Sequence, residues 1–523
     1  MTIPGREEPG RATVSDRARG PVLVLGLDMV DGGLIRRWIR QGRLPHFADL
    51  ARGGTSLDLE STAEVLHTSA WPTFATGMPP GQHGVYYPYQ PTPGRQFARQ
   101  IGSDQYGATT FWSRADAERR PCLVYDIPET FPEGGFSGSA IYDWGTWAQY
   151  GKSCAQPSAL LRELKARFGA YPLGYEAMQL GFGHPEGIEE RLLRSVRYKA
   201  ATAQWLLQRA AWDLAVVGFG ETHCAGHYLW PSGVHAVDGG PDSAFERLFA
   251  VYAEVDRAVG ALAASLPSDA TLIVVSGDGV RANHCGWHLL PAILNRLGYT
   301  STGQTSGTSE PARPSLLRRL PQLVPPGVKE RIAAGLPMRV RNRLGLWAQA
   351  AGLKWSETRA FALPTDLEGC IRINLRGREP EGIVEPGAQY HDLCQEIRAR
   401  LEELVNPATG APAVHRVWIR DEIFPGPRQE ELPDVIVTWN DAAPIAALTS
   451  PRAGLVEGAN PDRRPGTHST SGFLMAQGPG IPREHQGRGR LVDVAPTVLH
   501  LLGVPQTDDL EGTAWRAVAG EFE

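Results

Sequence analysis

Short apolar runs alternate along the chain with segments of helical periodicity. The run PVLVLGL (residues 21–27) is rich in Val and Leu, and the segment after it carries apolar residues at helical spacing. Similar runs recur at WDLAVVGFG (212–220) and ATLIVVSGDG (270–279). Repeated strand-then-helix units predict an α/β fold, in which a mostly parallel sheet carries helices on both faces.

Polar residues follow these predicted strands. Asp28 comes directly after the first run, HCAGH (223–227) follows the second, Asp278 ends the third, and His468 lies in a Gly/Thr/Ser-rich loop near the end of the chain. In a parallel sheet these positions converge at the carboxyl edge of the strands. Asp, His and hydroxyl oxygens are ligands suited to zinc, manganese or iron, and His223 and His227 share one face if their segment is helical. Two metals held there could clamp a transferring phosphoryl or sulfuryl group.

Each of these positions also has a purely structural explanation. Asp28 could cap the following helix, and Asp278 could be a turn residue in SGDG. An isolated HxxxH pair is more often two surface or core histidines than a metal site. The metal interpretation is favoured because every candidate falls at the end of a predicted strand.

The stretch HTSAWPTFATGMPPGQHG (67–84) places two hydroxyls beside a histidine at the start of an apolar, helix-compatible run. Thr68 and Ser69 are good helix N-caps, and capping does not exclude use as a nucleophile.

Composition narrows the class of protein. The 523-residue chain is 42% hydrophobic and 21% charged, with a formal net charge of −5, so it has no general attraction to nucleic acid. The first 20 residues lack an apolar segment, and no run reaches the length of a membrane span. Six cysteines without regular spacing predict reduced thiols rather than a disulfide framework. We therefore expect a cytoplasmic protein with no membrane association.

The ordered motifs resemble the alkaline phosphatase superfamily, and within it the type I phosphodiesterase/nucleotide pyrophosphatase family. The resemblance covers most of the chain and rests on VLVLGLDMVDGGLIRRWIRQGRLPHFADLARGG, SAWPTFATGMPPGQHGVY, GFGETHCAGHYLW, VVSGDG, WSETRAFALPTDLEGCIRINLRGREPEGIV, LPDVIVTW, GTHSTSGFLMAQGPGI and LVDVAPTVLHLLGVP. It implies an alkaline-phosphatase-like fold with cap-like insertions.

The resemblance further implies two divalent metal ions, zinc in our prediction with manganese or iron as alternatives. One site would contain Asp28, the nucleophile hydroxyl and Asp278, and the other would contain His223, His227 and His468. The implied activity is hydrolysis of a phosphodiester, pyrophosphate or phosphomonoester bond in a small molecule, through a covalent phosphoryl-enzyme on Thr or Ser. The alternatives are a sulfatase or phosphomutase of the same fold, or a catalytically weak relative that binds ligands.

The chain departs from the family pattern at three places. His223 stands where family members commonly carry Asp, and Gly277-Asp278 replaces an Asp-His pair. Counting back from Gly77, the usual hydroxyl position falls on His67, so we assign the nucleophile to Thr68, with Ser69 as the alternate. The lost carboxylates imply a preference for a dianionic substrate or for a different metal, or that one of the two metal sites is weak or empty.

Further residues are candidates for substrate contacts or for metal ligands that replace the missing carboxylates. Glu221, Cys224, His284 and His288 lie close enough in sequence to act as substitute ligands. The predicted substrate contacts are His67, Glu221, His284, His288, Arg339 and Arg341.

Domain boundaries follow changes in composition. We expect a disordered tail over residues 1–20, a catalytic domain over 21–300 and 355–523, and a linker with a basic cap-like insertion over 301–354. An aromatic-rich insertion is predicted at about 86–205. The arginines of residues 301–354 either bind substrate or form a solvated basic face on amphipathic helices. The aromatic residues of segment 86–205 either stack on a base or ring of a ligand or form a small satellite core.

Overall fold

A computed structural model describes residues 20–91, 94, 98–102, 106–145, 152–173, 187–232, 242–302 and 352–515. The strands of these residues are β1 (Val22–Leu27), β2 (Thr55–Glu60), β3 (Tyr89–Gln90), β4 (Arg99–Gln100), β5 (Cys122–Tyr125), β6 (Ser139–Tyr142), β7 (Cys154–Gln156), β8 (Leu214–Phe219), β9 (Thr271–Ser276), β10 (Gly279–Ala282), β11 (Ala360–Ala362), β12 (Gly369–Ile373), β13 (Val405–Asn406), β14 (Ala411–Pro412), β15 (Val414–Ile419), β16 (Val435–Trp439), β17 (Ala447–Ser450), β18 (Gly454–Glu457), β19 (Gly466–Ser469), β20 (Gly472–Gln477) and β21 (His485–Arg490).

The α-helices of the same residues are α1 (Gly32–Arg40), α2 (Pro45–Gly53), α3 (Ala70–Thr76), α4 (Pro80–His83), α5 (Phe111–Ala117), α6 (Ala159–Phe168), α7 (Ile188–Leu207), α8 (Glu221–Leu229), α9 (Glu246–Ala263), α10 (Leu290–Arg296), α11 (Ala388–Glu402), α12 (Arg420–Ile423) and α13 (Val494–Leu501). A helix long and apolar enough to cross a bilayer is absent from the described residues.

A nine-stranded sheet forms the centre of the molecule. Its order is β21-β2-β20-β9-β1-β8-β5-β6-β7. Most neighbouring strands are parallel: β1 pairs in this way with β8 and β9, β5 with β6 and β8, and β2 with β21. Two strands are antiparallel to their neighbours: β20 runs antiparallel to β2 and β9, and β7 runs antiparallel to β6. The predicted mostly parallel sheet is confirmed, and the three apolar runs form its central strands β1, β8 and β9.

The central strands are buried on both faces. All six residues of β1 are buried, and so are those of β8 and β9. Leu23, Leu25 and Leu27 pack into one core with α1, α2, α7, α8 and α9, while Val22 and Val24 pack into a second core with α3, α5 and α13. Helices therefore cover both faces of the sheet, as the apolar runs predict.

Residues 360–457, which we call the accessory lobe, contain two small antiparallel sheets. One has the order β11-β12-β16-β15 and the other β14-β13-β17-β18. The lobe shares a core with α10. A separate apolar cluster joins it to the central domain, because Leu66 and Tyr86 pack against Phe361, Leu363 and Phe424.

The predicted domain boundaries stay a prediction. The segment over residues 86–205 supplies β5, β6 and β7 to the central sheet. Its aromatic residues Phe111 and Trp112 lie in the core on the α3 side of the sheet. Residues 303–351 lie outside the described residues.

Candidate functional site

The carboxyl edge of the central sheet brings together side chains that are far apart in sequence. Asp28 follows β1, α8 begins two residues after β8, and Asp278 lies between β9 and β10. β10 pairs antiparallel with β19, with Val280 opposite His468. This small ribbon places His468 against the ends of the parallel strands.

Three of the predicted ligands form a compact cluster. The ring nitrogens of His223, His227 and His468 offer ligand atoms that all lie within 4.8 Å of one another. The ring centroids of His223 and His227 are 4.5 Å apart because the two residues are one helical turn apart on α8. His468 reaches the same point from β19, with centroid distances of 4.9 Å to His223 and 5.1 Å to His227. We call these residues the three-histidine cluster.

Two rings of the three-histidine cluster are oriented by hydrogen bonds at Nδ1. The Nδ1 atom of His227 lies 2.8 Å from the carbonyl oxygen of Gly466, and Nδ1 of His468 is hydrogen-bonded to Asp278. The carbonyl oxygen of Gly466 can only accept, so Nδ1 of His227 carries the proton in the neutral ring and Nε2 is left with its lone pair. Nε2 of His227 is buried and has no hydrogen-bond partner.

Burial lowers the pKa of both His227 and His468 well below its ordinary value, and the neighbouring cationic side chains act in the same direction. Neutral imidazole is the form that binds a metal ion. A buried Nε2 without a partner, close to two other imidazoles, fits a divalent cation with nitrogen ligands.

Asp28 and Asp278 form a carboxylate pair beside the three-histidine cluster. Trp71 donates to Asp28 Oδ1 at 2.9 Å, and Asp28 Oδ2 lies 3.3 Å from Nδ1 of His223. Asp278 Oδ1 accepts from the backbone N–H of Met29 at 3.1 Å. Burial, together with the charge of Asp28, raises the pKa of Asp278 to about 8. Two buried carboxylates that repel one another are an arrangement that a cation relieves.

The predicted nucleophiles lie in a single 3₁₀ turn, His67–Ser69, that leads into α3. Thr68 Oγ1 lies 3.0 Å from Nε2 of His67. Ser69 Oγ donates to the carbonyl oxygen of Leu66 at 2.6 Å. Thr68 therefore presents its hydroxyl to an imidazole, whereas the hydroxyl of Ser69 is bonded to its own turn.

His67 is held by the accessory lobe. Its backbone N–H donates to Glu368 Oε1 at 2.8 Å, and its Nδ1 lies 2.9 Å from Glu368 Oε2. Its Nε2 lies 3.5 Å from Oδ1 of Asp366, and its ring centroid is 4.5 Å from that of His468. Burial acts to lower the pKa of His67, but the Glu368 carboxylate overcomes this and raises it to about 9.

The remaining candidates lie outside the three-histidine cluster. Glu221 accepts from the Tyr171 hydroxyl at 2.6 Å, and burial raises its pKa to about 7. His284 Nδ1 lies 2.8 Å from the Asp441 carbonyl oxygen, and His288 Nε2 lies 3.0 Å from the Gly458 carbonyl oxygen. Arg339 and Arg341 lie outside the described residues. A substrate contact by any of these residues stays a prediction.

Sequence reasoning missed Glu368 and Asp366. Both lie in the loop LPTDLE (363–368) between β11 and β12, with no spacing that links them to the strand ends. Two acids in a short turn after an apolar strand were the available signal. It is weak, since such turns are common on protein surfaces.

The chain is similar to one known protein family and to several solved structures. Residues 22–474 match the model of the family described as Type I phosphodiesterase / nucleotide pyrophosphatase. A search of curated proteins gives no match.

Among solved structures, the chain is similar to human ectonucleotide pyrophosphatase / phosphodiesterase 5, with 12% identity, a TM-score of 0.48, and coverage of 96% of this chain and 98% of that chain. The murine protein of the same name gives 14% identity, a TM-score of 0.47, and coverage of 93% and 95%. Phosphonoacetate hydrolase from Sinorhizobium meliloti 1021 gives 14% identity, a TM-score of 0.49, and coverage of 93% and 96%.

Proposed function

The chain belongs to the type I phosphodiesterase / nucleotide pyrophosphatase family and is a hydrolase of phosphate esters, and on this premise we propose that Thr68 is its nucleophile. The substrate is a small molecule that carries a phosphodiester, pyrophosphate or phosphomonoester bond. The net charge of −5 gives no general attraction to a nucleic-acid polymer.

The proposed chemistry depends on bound metal, and the observation that carries it is the buried, unpartnered Nε2 of His227 inside the three-histidine cluster. In the absence of a metal ion this atom would lose its hydrogen bonds to water without compensation, at a cost of about 1–3 kcal/mol. We propose that His223, His227 and His468 hold one divalent ion, and that Asp28, Asp278 and Thr68 hold a second. Zinc suits the nitrogen ligands best, with manganese or iron as alternatives.

Divalent ions bound here would supply positive charge to the phosphoryl oxygens and the departing oxygen. Thr68 Oγ1 forms a bond to phosphorus as the bond from phosphorus to the leaving oxygen breaks, and water later cleaves the phosphoryl-threonine. The hydrogen bond of the Ser69 hydroxyl to Leu66 favours Thr68 over Ser69, because Ser69 Oγ would have to break that bond to attack.

Burial of the site excludes bulk water from the nucleophile. Thr68, His67 and the three-histidine cluster are all buried. Charges in such a site interact more strongly than they do in water, so the ligand set and the phosphoryl group are bound in a low-dielectric environment.

We further propose that the protein is cytoplasmic. The six cysteines all lie among the described residues and form no disulfide bonds there, as suits a reducing compartment. Fractionation of cells that produce the protein would test this placement, and recovery outside the cytoplasm would contradict it.

The test of function uses purified protein with added zinc or manganese, assayed against bis(p-nitrophenyl) phosphate, p-nitrophenyl phosphate and p-nitrophenyl sulfate. We expect turnover of a phosphate ester, and a loss of about 10³-fold or more in Thr68→Ala. Ser69→Ala is the matched control and should stay within a few-fold of the native enzyme. Acid quenching followed by mass spectrometry should locate the phosphoryl group on Thr68.

Three results would contradict the proposal. Full turnover by Thr68→Ala together with its loss in Ser69→Ala would move the nucleophile to Ser69. Turnover of the sulfate ester alone would assign a sulfatase. Metal and substrate binding without turnover of any ester would assign a ligand-binding relative.

A further inference from the structure

The guanidinium of Arg464 is fixed beside the site by two carboxylates. Its Nε donates to Asp462 Oδ1 at 2.8 Å, and its Nη2 donates to Asp462 Oδ2 at 2.9 Å. Nη2 also donates to Asp366 Oδ2 at 3.1 Å. Asn283 holds Asp462 in place, since its Nδ2 donates to Asp462 Oδ2 at 3.0 Å. The paired contact with Asp462 sets the orientation of the planar guanidinium.

Asp366 connects this guanidinium to the turn that carries the proposed nucleophile. While its Oδ2 accepts from Arg464, its Oδ1 lies 3.5 Å from Nε2 of His67. The same nitrogen lies 3.0 Å from Thr68 Oγ1. A single carboxylate group therefore separates Arg464 from the imidazole that contacts Thr68.

Arg464 also lies close to the three-histidine cluster. It precedes by two residues Gly466, whose carbonyl oxygen contacts His227. Burial is the main cause that lowers the pKa of His227, and the charge of Arg464 acts in the same direction. The guanidinium is therefore within electrostatic reach of the cluster as well as of the turn that contains Thr68.

One nitrogen of the guanidinium is not used by these contacts. Nη1 of Arg464 has no hydrogen-bond partner among the residues that the structure describes. The side chains of Arg464 and Asp366 are 16% and 31% exposed, whereas Thr68 and His67 are only 5% and 6% exposed. The pair of Arg464 and Asp366 is therefore the solvent-facing edge of the site, and Nη1 leaves two N–H donors there.

We propose that Arg464 binds a second anionic group of the substrate, a carboxylate or a second phosphate, in the part of the molecule beyond the scissile bond. The inference rests on the proposed function, in which Thr68 attacks the phosphoryl group. A guanidinium held along one edge presents its remaining donors in a fixed geometry, which suits the planar oxygens of an anion. Partial burial makes this contact stronger than it would be in water.

A purely structural role is the competing explanation, because Arg464 links two acids of the described residues and joins the accessory lobe to the segment before β19. The two explanations differ in how a substitution acts on different substrates. Loss of a structural contact changes the turnover of charged and neutral substrates alike. Loss of a binding contact removes the preference for the charged substrate, whatever happens to the absolute rate.

The experiment uses matched p-nitrophenyl phosphodiesters whose second arm is an alkyl chain of two, three or four methylenes. The arm ends in a carboxylate, a phosphonate or a carboxamide, and the carboxamide has nearly the shape of the carboxylate without its charge. Release of p-nitrophenol at saturating zinc gives kcat and KM. The variants are Arg464→Gln and Arg464→Lys, and Arg463→Gln at the neighbouring exposed position is the matched control.

We expect the native protein to prefer an anionic arm over the carboxamide by about 10–100-fold in kcat/KM, chiefly through a lower KM. Arg464→Gln should remove this preference, and Arg464→Lys should keep part of it, because an ammonium retains the charge but not the planar fork. Arg463→Gln should keep the native preference. A larger preference for the phosphonate would assign a second phosphate, and a larger one for the carboxylate would assign a carboxylate.

Binding can be measured without turnover. Calorimetric titration of Thr68→Ala with the same diesters should show the preference for the anionic arm, and the double variant Thr68→Ala/Arg464→Gln should lack it. Metal content and thermal melting of each sample show whether the variants are folded.

Equal kcat/KM for the anionic and carboxamide arms at every length in the native protein would overturn the proposal. So would an undiminished preference in Arg464→Gln. Failure of the native protein to cleave any diester, or full turnover by Thr68→Ala, would instead overturn the proposed function. The calorimetric comparison still tests Arg464 in that case, so the two failures are distinguishable.

Discussion

The Nδ1 atom of His227 lies 2.8 Å from the carbonyl oxygen of Gly466, two residues before His468. This hydrogen bond joins α8 to β19, the two elements that carry the three-histidine cluster. The separation of these histidines therefore depends on how closely the two backbones approach one another.

Gly466 permits that close approach. A Cβ atom added at this position would lie 2.0 Å from the carbonyl oxygen of Gly226 and 2.8 Å from Cβ of Trp230. We therefore expect Gly466→Ala to push β19 away from α8, to lower the free energy of unfolding by about 1–3 kcal/mol, and to weaken metal binding. Urea unfolding and metal content would measure both effects.

Gly134→Ala is the control for this substitution, since nothing lies within 4 Å of a Cβ added there. We expect it to change neither stability nor metal content. Equal metal content in Gly466→Ala and Gly134→Ala would show that the close contact does not set the geometry of the three-histidine cluster.

The accessory lobe depends on a buried carboxylate at Asp434. Arg378 donates to both of its oxygens, at 2.8 and 2.6 Å, and Arg420 Nη1 lies 3.0 Å from Oδ1. Although burial alone would raise the pKa of Asp434, Arg378 holds it well below its usual range. Asp434→Asn leaves two buried guanidinium groups without this charge, and we expect it to lower the free energy of unfolding by about 3–5 kcal/mol.

The same substitution should affect the position of Glu368. Asp434 Oδ2 accepts from the backbone N–H of Ile373 on β12, the strand that follows Glu368. Urea unfolding monitored by tryptophan fluorescence would measure the free energy of unfolding of Asp434→Asn, with Glu402→Gln, at an exposed position of the lobe, as the control. An Asp434→Asn variant as stable as this control would contradict the account of the lobe.

Acid should destabilise the protein through His83. This side chain is buried, its Nδ1 accepts from the Val85 N–H at 3.1 Å, and burial lowers its pKa to about 3. In the unfolded chain its pKa would return to about 6.5. Below that pH the unfolded state binds a proton that the folded state does not, so His83 should remove about 1.4 kcal/mol of stability per pH unit between about 6.5 and 3.

His83→Gln tests this dependence, because an amide does not titrate. We expect the variant to be less stable than the native protein at pH 7.5, but to lose stability less steeply between pH 6.5 and 4.5. Urea unfolding at intervals of half a pH unit would give the slope of the free energy of unfolding against pH for the native protein and for His83→Gln. Parallel slopes would show that the acid sensitivity arises elsewhere.

The fold could largely be read from the sequence, because each apolar run of Val and Leu is long enough for a buried strand and too short for a helix. β1, β8 and β9 follow from this pattern, and Asp28 and Asp278 follow from the rule that parallel strands end at one edge. His468 instead reaches the site from β19, which pairs antiparallel with β10. The spacing of His223 and His227 required only that the segment be helical, as α8 is.

The carboxylates of the accessory lobe could not be found in this way. Glu368 is 301 positions from His67, and the contact depends on how the lobe packs against Leu66 and Tyr86. Apolar packing between distant segments leaves no periodic trace in the sequence. His67 itself had a local signal, since it stands ten residues before Gly77 where the family pattern has its hydroxyl.

The most direct test of the account is the metal content of the purified protein, measured by plasma mass spectrometry after reconstitution with zinc and removal of excess. We expect about two ions per chain in the native protein, and the same in His485→Ala, which changes an exposed histidine of β21. His468→Ala should lose one ion. No bound metal in the native protein, or a His468→Ala variant that holds as much metal as the native protein, would contradict the three-histidine site.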